Sequence, residues 1–261
     1  MSNTLTFITR LAHQAGAVLV AHYDRTGTRA EIKADQTFVT EADLAADQLI
    51  SNAISESFPK DNLISEELNP IYNENMRWTW VVDPLDGTTN FALGLHYWGV
   101  SIARLNNNNI DVAALYFPML DELFTAQRGN GAFLNGNPLN VNEIKRADQK
   151  SFFTCCSRTH RNFNISVPYK TRILGSAAYG FCSIARGSSL LAFEVTPKIW
   201  DLAASWLVVE EAGGVIEPYQ QPSPFPLLPG HDYSLISYPT LAAINPELVK
   251  KGRKWITPKE G

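Results

Sequence analysis

Two aspartates, Asp83 and Asp86, directly follow an apolar segment in the stretch V-V-D-P-L-D-G-T-T-N-F. Pro84 fixes a backbone dihedral angle between them, and Gly87 permits a sharp turn after them. Two carboxylates that face one point repel each other unless a cation lies there, so the pair favours a hard ion such as Mg²⁺. Because Asp, Pro and Gly are also the usual residues of tight turns, the alternative is an ordinary turn whose aspartate caps the next helix.

The residues after the second aspartate, Gly87-Thr88-Thr89-Asn90, offer successive backbone N–H groups and hydroxyls. At the N-terminus of a helix, such a run forms a cradle for a phosphate group. Metal-binding carboxylates beside a phosphate cradle suit the metal-assisted attack of water on phosphorus.

The other candidate residues have ordinary explanations when each is taken alone. Glu66, in L-I-S-E-E, fits the first turn of a solvated helix. Asp201, in I-W-D-L-A-A, fits the N-cap of an apolar helix. Asp43 closes a capping box with Thr40, and Lys33 is an ordinary surface lysine.

Several classes of chemistry lack support in this sequence. The five histidines are scattered without an H-E-x-x-H pattern, and neither G-x-S-x-G nor a Walker loop occurs. The three cysteines form no C-x-x-C pair and no disulfide framework. A net charge of −4 lacks the basic footprint that nucleic-acid binding requires, which argues against nucleic acid as a partner.

The cellular location is predicted from features that are missing. The N-terminus lacks the basic region and apolar run of a signal peptide, and no apolar segment approaches the length of a membrane span. We therefore expect a soluble protein of a reducing compartment, the cytoplasm, with no membrane contact.

The elements that must position these residues follow from hydrophobic periodicity. The first half predicts two amphipathic helices, then a strand that runs into the two aspartates, then an antiparallel meander. The second half predicts strands alternating with helices. The predicted bounds are helices from Leu5 to near Tyr23 and from Thr40 to before Pro59, a strand or hairpin between them, strands at Trp78–Val82, Arg172–Leu174, Leu190–Val195 and Leu241–Ile244, helices at Ala177–Ala185 and Leu202–Ala212, and a short helix from Pro246.

This order of elements predicts an α+β fold of mixed sheets layered with helices. Apolar residues make up 45% of the chain and charged residues 18%, which is a globular composition. We expect a single domain over residues 1–261, with an α+β half at 1–146 that contains the meander and an α/β half at 147–261.

Taken together, the acidic motifs closely resemble those of the inositol monophosphatase family of magnesium-dependent phosphatases. The motifs are E-E at Glu66-Glu67, D-P-L-D-G-T-T-N-F from Asp83, and W-D-L-A-A from Trp200, in the family's order and spacing. V-T-E-A-D, F-L-N-G, G-S-A-A and E-E-A-G-G match as well. The resemblance implies the alternating α-β-α-β-α sandwich that this family shares with fructose-1,6-bisphosphatase.

The same resemblance implies roles for particular residues. The expected metal ligands, for two or three Mg²⁺ ions, are Glu66, Asp83, Asp86, Asp201 and the carbonyl of Leu85. The expected catalytic residues, which orient or deprotonate the attacking water, are Glu66, Thr88 and Asp43. The expected substrate contacts are Gly87 and Thr88 to phosphate and Ser176, Ala177, Glu194 and Asp201 around the alcohol. Lys33 resembles the family's mobile-loop lysine, although its spacing from Asp43 is one residue shorter than usual.

The implied activity is Mg²⁺-dependent hydrolysis of a phosphate monoester, with myo-inositol 1-phosphate as the leading substrate. Dual activity on inositol phosphate and fructose 1,6-bisphosphate is the alternative, while histidinol phosphate and 3′-phosphoadenosine nucleotides rank lower. The segment from Arg158 to Arg161 either meets a second phosphate or is a solvated loop. A third hypothesis is a non-catalytic regulatory protein, because some bacterial members associate with the transcription machinery. Homodimerisation and inhibition by Li⁺ are family expectations too.

Overall fold

The structure is a computed structural model that describes residues 3–24, 27–32, 38–72, 76–143, 151–220 and 222–259. Lys33, the expected mobile-loop lysine, lies outside these residues. Within them the helices are α1 Asn3–His22, α2 Glu41–Ser57, α3 Thr88–Ala92, α4 Thr159–Asn162, α5 Ala177–Ala185, α6 Ile199–Glu211 and α7 Pro246–Trp255.

A seven-stranded sheet forms in the first half of the chain. Its strands are β3 Asn62–Ser65, β5 Trp78–Asp86, β6 Gly99–Asn106, β7 Asn109–Phe117, β8 Glu122–Gln127, β9 Ala132–Leu134 and β10 Asn137–Leu139. They lie in the order β10-β9-β8-β7-β6-β5-β3. All neighbours are antiparallel except the edge strand β3, which runs parallel to β5. The predicted meander is therefore confirmed.

A five-stranded sheet forms in the second half. Its strands are β11 Phe152–Cys155, β13 Lys170–Arg172, β14 Ser189–Glu194, β15 Val215–Pro218 and β17 Thr240–Ala243, in the order β13-β11-β14-β17-β15. Short pairs complete the described strands: β1 Glu31–Ile32 with β2 Phe38–Val39, β4 Ile71–Tyr72 with β16 His231–Asp232, and β12 Phe163–Ile165 with β18 Ile256–Pro258.

Helices and sheets alternate in five layers. Helices α1 and α2 pack on one face of the seven-stranded sheet, and α5 and α6 lie between its other face and the five-stranded sheet. Helix α7 covers the outer face of the five-stranded sheet through β14 and β17. This is the α-β-α-β-α sandwich that the resemblance to the family implies.

Two buried clusters hold the layers together. One lies between α1, α2 and the seven-stranded sheet, and it includes Ile8, Ile50 and Trp80. The larger one joins both halves of the chain, since Phe117 of β7 and Phe193 of β14 belong to it. A core that both halves share supports the single domain over 1–261, which stays a prediction. None of the described helices combines the length and apolar character that a membrane span requires.

Two predictions about local structure are wrong. The strand expected at Arg172–Leu174 lies at Lys170–Arg172, because Gly175 adopts a left-handed φ of 77° and the preceding residues turn toward helix α5. Asp201 is not the N-cap of its helix, since α6 begins at Ile199 and Asp201 is its third residue. The apolar pair Ile199-Trp200 is buried and extends the helix toward the N-terminus.

Candidate functional site

The first two aspartates lie at the carboxyl end of β5. The pairing of β5 with β6 shifts register between Asp83 and Asp86, which bends the strand there. The Leu85 N–H donates to Oδ1 of Asp83 over 2.9 Å and closes the bend. Because Pro84 has no N–H, the strand can leave the ladder at this point without losing a donor. The turn that the sequence predicts is present, and it turns both carboxylates toward one cleft.

A third carboxylate reaches the same place from helix α6. Carboxylate oxygens of Asp83, Asp86 and Asp201 lie within 4.8 Å of one another. Oδ2 of Asp201 accepts the Lys198 N–H over 2.8 Å, which fixes the side chain against the first turn of its helix. Three acids from two distant segments therefore converge, as the sequence motifs imply.

One atom of this cluster indicates what it fits. Oδ2 of Asp83 is buried and accepts no hydrogen bond from a donor group of the described residues. Charged neighbours of Asp83 include the carboxylates of Glu66, Asp86 and Asp201, and sharing a proton with Asp201 would give it a hydrogen bond. A buried carboxylate oxygen without a donor is costly unless a cation binds it. The donor set, all oxygen, fits a hard divalent ion.

Burial and mutual repulsion raise the pKa values of these acids. The pKa of Asp83 is raised well above its usual value by burial and then by the charges of Glu66 and Asp201. Burial and the charges of Asp86 and Glu66 raise the pKa of Asp201 to about 8. Burial raises the pKa of Asp86 to about 6, and hydrogen bonds from Ser176 and two backbone amides limit that rise. A divalent cation among them would reverse the repulsion that causes part of these shifts.

Helix α5 holds Asp86 through its N-terminus. The hydroxyl of the N-cap residue Ser176 donates to Oδ2 of Asp86, and the N–H groups of Ala177 and Ala178 each donate to the carboxylate over 3.2 Å. The hydroxyl of Ser176 also accepts the Tyr179 N–H over 3.1 Å. Ser176 and Ala177, the predicted substrate contacts, therefore line the cleft and also orient a predicted metal ligand.

Glu66 lines the same cleft from the turn that follows β3. It does not belong to the group of three converging carboxylates, but its charge raises the pKa values of all three. Its interpretation as part of a solvated helix is wrong, because Glu66 to Leu68 form a tight turn between β3 and the bridge residue Asn69.

The Thr88 hydroxyl contacts Asp43, its expected partner, and also the carbonyl of Leu85, an expected metal ligand. It lies 3.1 Å from Oδ1 of Asp43 and 3.0 Å from the carbonyl oxygen of Leu85. Oδ2 of Asp43 accepts both the Thr40 hydroxyl and the Thr40 N–H, the latter over 2.8 Å. The predicted capping box and the predicted Thr88–Asp43 pair thus use the two oxygens of one carboxylate.

The predicted phosphate cradle begins at Gly87, a position that strongly favours glycine. Gly87, the N-cap of helix α3, has a φ of 91°, and a Cβ added there would lie 2.7 Å from the carbonyl oxygen of Tyr97. Asn90 anchors α3 by donating to the carbonyls of Tyr97 and Leu174 over 2.7 and 2.8 Å. The sequence places Asn90 in the motif, and the structure gives it an anchoring contact that the motif alone does not reveal.

Glu194 lies in the part of the cleft predicted to receive the alcohol. It is 6% exposed, and burial, followed by the neighbouring thiol of Cys156, raises its pKa well above the usual value. Cys156 and Arg158 line the cleft too, and the Arg158 guanidinium donates to the Thr196 hydroxyl over 2.9 Å. Sequence reasoning assigned no role to Cys156 or Thr196. Thr196 directly follows the predicted strand Leu190–Val195, whereas no element was predicted next to Cys156.

The whole cleft has a volume of about 760 Å³ and contains every predicted site residue of the described chain except Asp43, which lies behind Thr88.

Comparisons with known proteins agree with this geometry. A model of a protein family, the inositol monophosphatase family, matches residues 1–250. The Nus factor SuhB of Escherichia coli is 34% identical over 261 residues, which cover 96% of this chain and 94% of that protein. The inositol monophosphatase of Dictyostelium discoideum is 34% identical over 217 residues, covering 78% of this chain and 80% of that protein. The crystal structure of extragenic suppressor protein suhB from Bartonella henselae matches with a TM-score of 0.80 at 29% identity, over 97% of this chain and 98% of that one.

Proposed function

The chain belongs to the inositol monophosphatase family, and from that premise we propose that it hydrolyses phosphate monoesters with Mg²⁺ as cofactor, with myo-inositol 1-phosphate as its substrate. The observation that carries the proposal is the convergence of Asp83, Asp86 and Asp201 on one cleft, with a buried oxygen of Asp83 that has no donor among the described residues.

The groups that would hold two or three Mg²⁺ ions are the carboxylates of Glu66, Asp83, Asp86 and Asp201 and the carbonyl of Leu85. When bound, divalent ions neutralise the charge of the phosphate and lower the pKa of water. The carboxylates would in turn fix where such ions can lie, because the end of β5 and the first turn of α6 hold Asp83, Asp86 and Asp201 in place.

Thr88 and Asp43 would handle the proton of the attacking water. The Thr88 hydroxyl directs its hydrogen toward Asp43 or the Leu85 carbonyl, so its own lone pairs remain available toward the cleft that Thr88 lines. A water there can donate one hydrogen to Thr88, which orients the water's lone pair. The carboxylate of Asp43, which the Thr40 N–H anchors, is the proposed acceptor at the end of this short chain.

The rest of the cleft would bind the substrate. The backbone N–H groups of Gly87 and Thr88 are proposed to hold phosphate oxygens at the start of α3. Glu194 is proposed to accept hydrogen bonds from neighbouring hydroxyls of a polyol, with Ser176 and Ala177 as the adjoining wall.

One observation favours the second candidate, activity on a sugar bisphosphate as well. Arg158 lines the cleft, and its described hydrogen bond goes to the Thr196 hydroxyl instead of a carboxylate. A guanidinium in this setting can bind a second phosphate of a substrate such as fructose 1,6-bisphosphate.

A substrate comparison tests these proposals. Phosphate release should be measured with inositol 1-phosphate, fructose 1,6-bisphosphate and histidinol phosphate, for the wild type and for Arg158→Gln. The leading proposal predicts the highest kcat/KM for inositol 1-phosphate and little effect of Arg158→Gln. A preference for the bisphosphate that Arg158→Gln removes would favour the second candidate.

The family premise also supports a cytoplasmic homodimer that Li⁺ inhibits. Trp98 is buried within the protomer, while its neighbours Leu95 and Tyr97 are exposed and are available to an interface. Light scattering coupled to size exclusion measures the mass directly, and a monomer at micromolar concentration would contradict the dimer.

A further inference from the structure

Asp47 is a fully buried acid that the proposed mechanism does not use. It lies on α2 one helical turn after Asp43, and its side chain accepts hydrogen bonds at both oxygens. Oδ1 accepts the Ser51 hydroxyl over 2.8 Å. Oδ2 accepts the backbone N–H groups of Glu67 and Leu68, each over 3.2 Å.

Those two N–H groups belong to the turn that carries Glu66. The turn is closed by the Ser65 N–H, which donates to the Asn69 carbonyl over 2.9 Å, and the Asn69 N–H donates back to the Ser65 hydroxyl over 3.2 Å. Glu66 itself is tied to β5 by its N–H, which donates to the Val82 carbonyl over 3.2 Å. The N–H groups of the next two residues, Glu67 and Leu68, donate to the carboxylate of Asp47 on α2.

We propose that Asp47 is a positioning residue for the metal centre, because its carboxylate fixes the turn that presents Glu66 to the cleft. This inference rests on the proposed metal-dependent function. Asp47 touches neither the cleft nor the three converging carboxylates among the described contacts, so its effect on a metal ion passes through the backbone of the 66–68 turn.

The position of Asp47 on α2 lets the same helix bind two separate segments of the site. Residues four apart on a helix lie on the same face, so Asp43 and Asp47 point the same way from one rigid element. Asp43 binds Thr88 in the segment after β5, and Asp47 binds the turn after β3. One helix therefore sets the distance between the two segments that supply Thr88 and Glu66.

Removing the Asp47 carboxylate should loosen Glu66 specifically. Two part-buried backbone donors of the turn would lose their acceptor, so the turn would rearrange to give them another partner. Glu66 would then leave its place beside the other acids. Loss of a residue that orients a metal ligand typically weakens metal binding by about 10- to 100-fold.

Mg²⁺ titration calorimetry without substrate tests the inference on the whole chain. The variants are Asp47→Ala, Asp47→Asn, Ser51→Ala, Glu66→Gln and the double variant Asp47→Ala/Glu66→Gln. Asp47→Asn keeps an oxygen for the turn, and Ser51→Ala removes the bond to the other oxygen while leaving the turn intact. If Asp47→Ala does not give folded protein, Asp47→Leu replaces it, because leucine fills the space of the side chain without offering the turn an acceptor.

We expect Asp47→Ala to raise the Mg²⁺ dissociation constant about tenfold or more, while Asp47→Asn and Ser51→Ala stay within about threefold of the wild type. In the Glu66→Gln background, Asp47→Ala should add less than about twofold, since it acts through Glu66. Wild-type affinity in Asp47→Ala, or an equal loss in the Glu66→Gln background, would overturn the inference.

The two proposals fail separately in this design. A wild type that binds Mg²⁺ and releases no phosphate overturns the proposed function, while the calorimetric comparison still decides the role of Asp47. A wild type that turns over substrate, with unchanged metal affinity in Asp47→Ala, overturns the role of Asp47 alone.

Discussion

Single carboxylates do more than one task in this protein. Asp43 caps helix α2 through Oδ2 and accepts the Thr88 hydroxyl through Oδ1. Asp201 accepts a backbone N–H in the first turn of α6 and also converges with two other acids. The ordinary structural explanation and the functional one are therefore compatible for these residues, because a carboxylate offers two oxygens and several lone pairs.

At the scale of the residue, the Thr88 hydroxyl can be tested separately from its backbone. Thr88→Val should lower kcat by about 10²-fold or more, because the water loses the group that orients it and links it to Asp43. Thr88→Ser keeps the hydroxyl and should retain activity within about tenfold of the wild type. Steady-state kinetics at saturating Mg²⁺ measure both variants, and equal rates for valine and serine variants would refute the role of the hydroxyl.

Residue types, their spacing and the motifs shared with the family together predict the acids and Thr88 of this site, and the roles of Glu66, Asp43 and Asp201 come from the shared motifs alone. They do not identify the orphaned oxygen of Asp83 or the partners of Asp47. Those properties depend on which backbone N–H groups the fold brings near each side chain, and the N–H groups of Glu67 and Leu68 reach Asp47 across 20 and 21 residues of chain.

At the scale of the element, helix α3 is only five residues long and depends on its surroundings. Gly87 begins it with a left-handed φ, and Asn90 ties it to the carbonyls of Tyr97 and Leu174. Gly175 lies against Asn90, and a Cβ on it would be 2.6 Å from Oδ1 of Asn90. The cradle is thus fixed by close approaches of neighbouring loops and not by helix propensity.

Gly87→Ala should therefore damage both stability and activity. An alanine with a left-handed φ costs about 1–2 kcal/mol, and the contact with the Tyr97 carbonyl adds about 1–3 kcal/mol. Urea unfolding and phosphate release measure the two effects.

Gly136→Ala is the matched control for Gly87→Ala. Gly136 has a φ of 77° with nothing within 4 Å of an added Cβ, so it carries the backbone strain without the clash. The control should lose about 1–2 kcal/mol and keep its kcat, because it lies in the turn between β9 and β10. Equal losses of stability and activity in both variants would contradict the account of the cradle.

Periodicity predicts the elements that carry the site well, because α1, α2, α5 and the meander are long or regular. It misplaces Asp201 by three residues relative to the helix start, since Ile199 and Trp200 could equally have ended the preceding segment. Both side chains are buried in the core as part of α6, and the local sequence alone does not predict that burial.

At the scale of the whole molecule, the acidic cluster lowers the stability of the metal-free chain near neutral pH. The pKa of Asp86 rises from 3.8 to about 6 and that of Asp201 from 3.8 to about 8, mainly by burial. Between about pH 4 and pH 8 the folded chain therefore binds more protons than the unfolded chain. The contribution of these two carboxyl groups to the free energy of unfolding is fully present below about pH 4. It is lost as the pH rises toward 8.

Urea unfolding at pH 5, 6, 7 and 8, in chelator and in Mg²⁺, checks this dependence. Without metal, the free energy of unfolding should fall across the series, and Mg²⁺ should restore more stability at pH 8 than at pH 5 because it binds the ionised acids. Asp201→Asn should flatten the metal-free curve. A metal-free stability that is constant or rises between pH 5 and 8 would contradict the assigned shifts.

The five-layer arrangement was predictable from the order of elements and from the family motifs, whereas the shared core was not. Phe117 and Phe193 belong to one buried cluster although they come from different sheets. That contact follows from how α5 and α6 fit between the sheets, and no pattern within a single segment predicts it.

The central claim is that these acids form a metal-dependent phosphatase site, and phosphate release from myo-inositol 1-phosphate tests it most directly. We predict turnover by the wild type in millimolar Mg²⁺, none in chelator, and a loss of at least about 100-fold in kcat/KM for a folded Asp83→Asn variant. Wild-type turnover that is unchanged by chelator, or an Asp83→Asn variant with near-wild-type rate, would contradict the account.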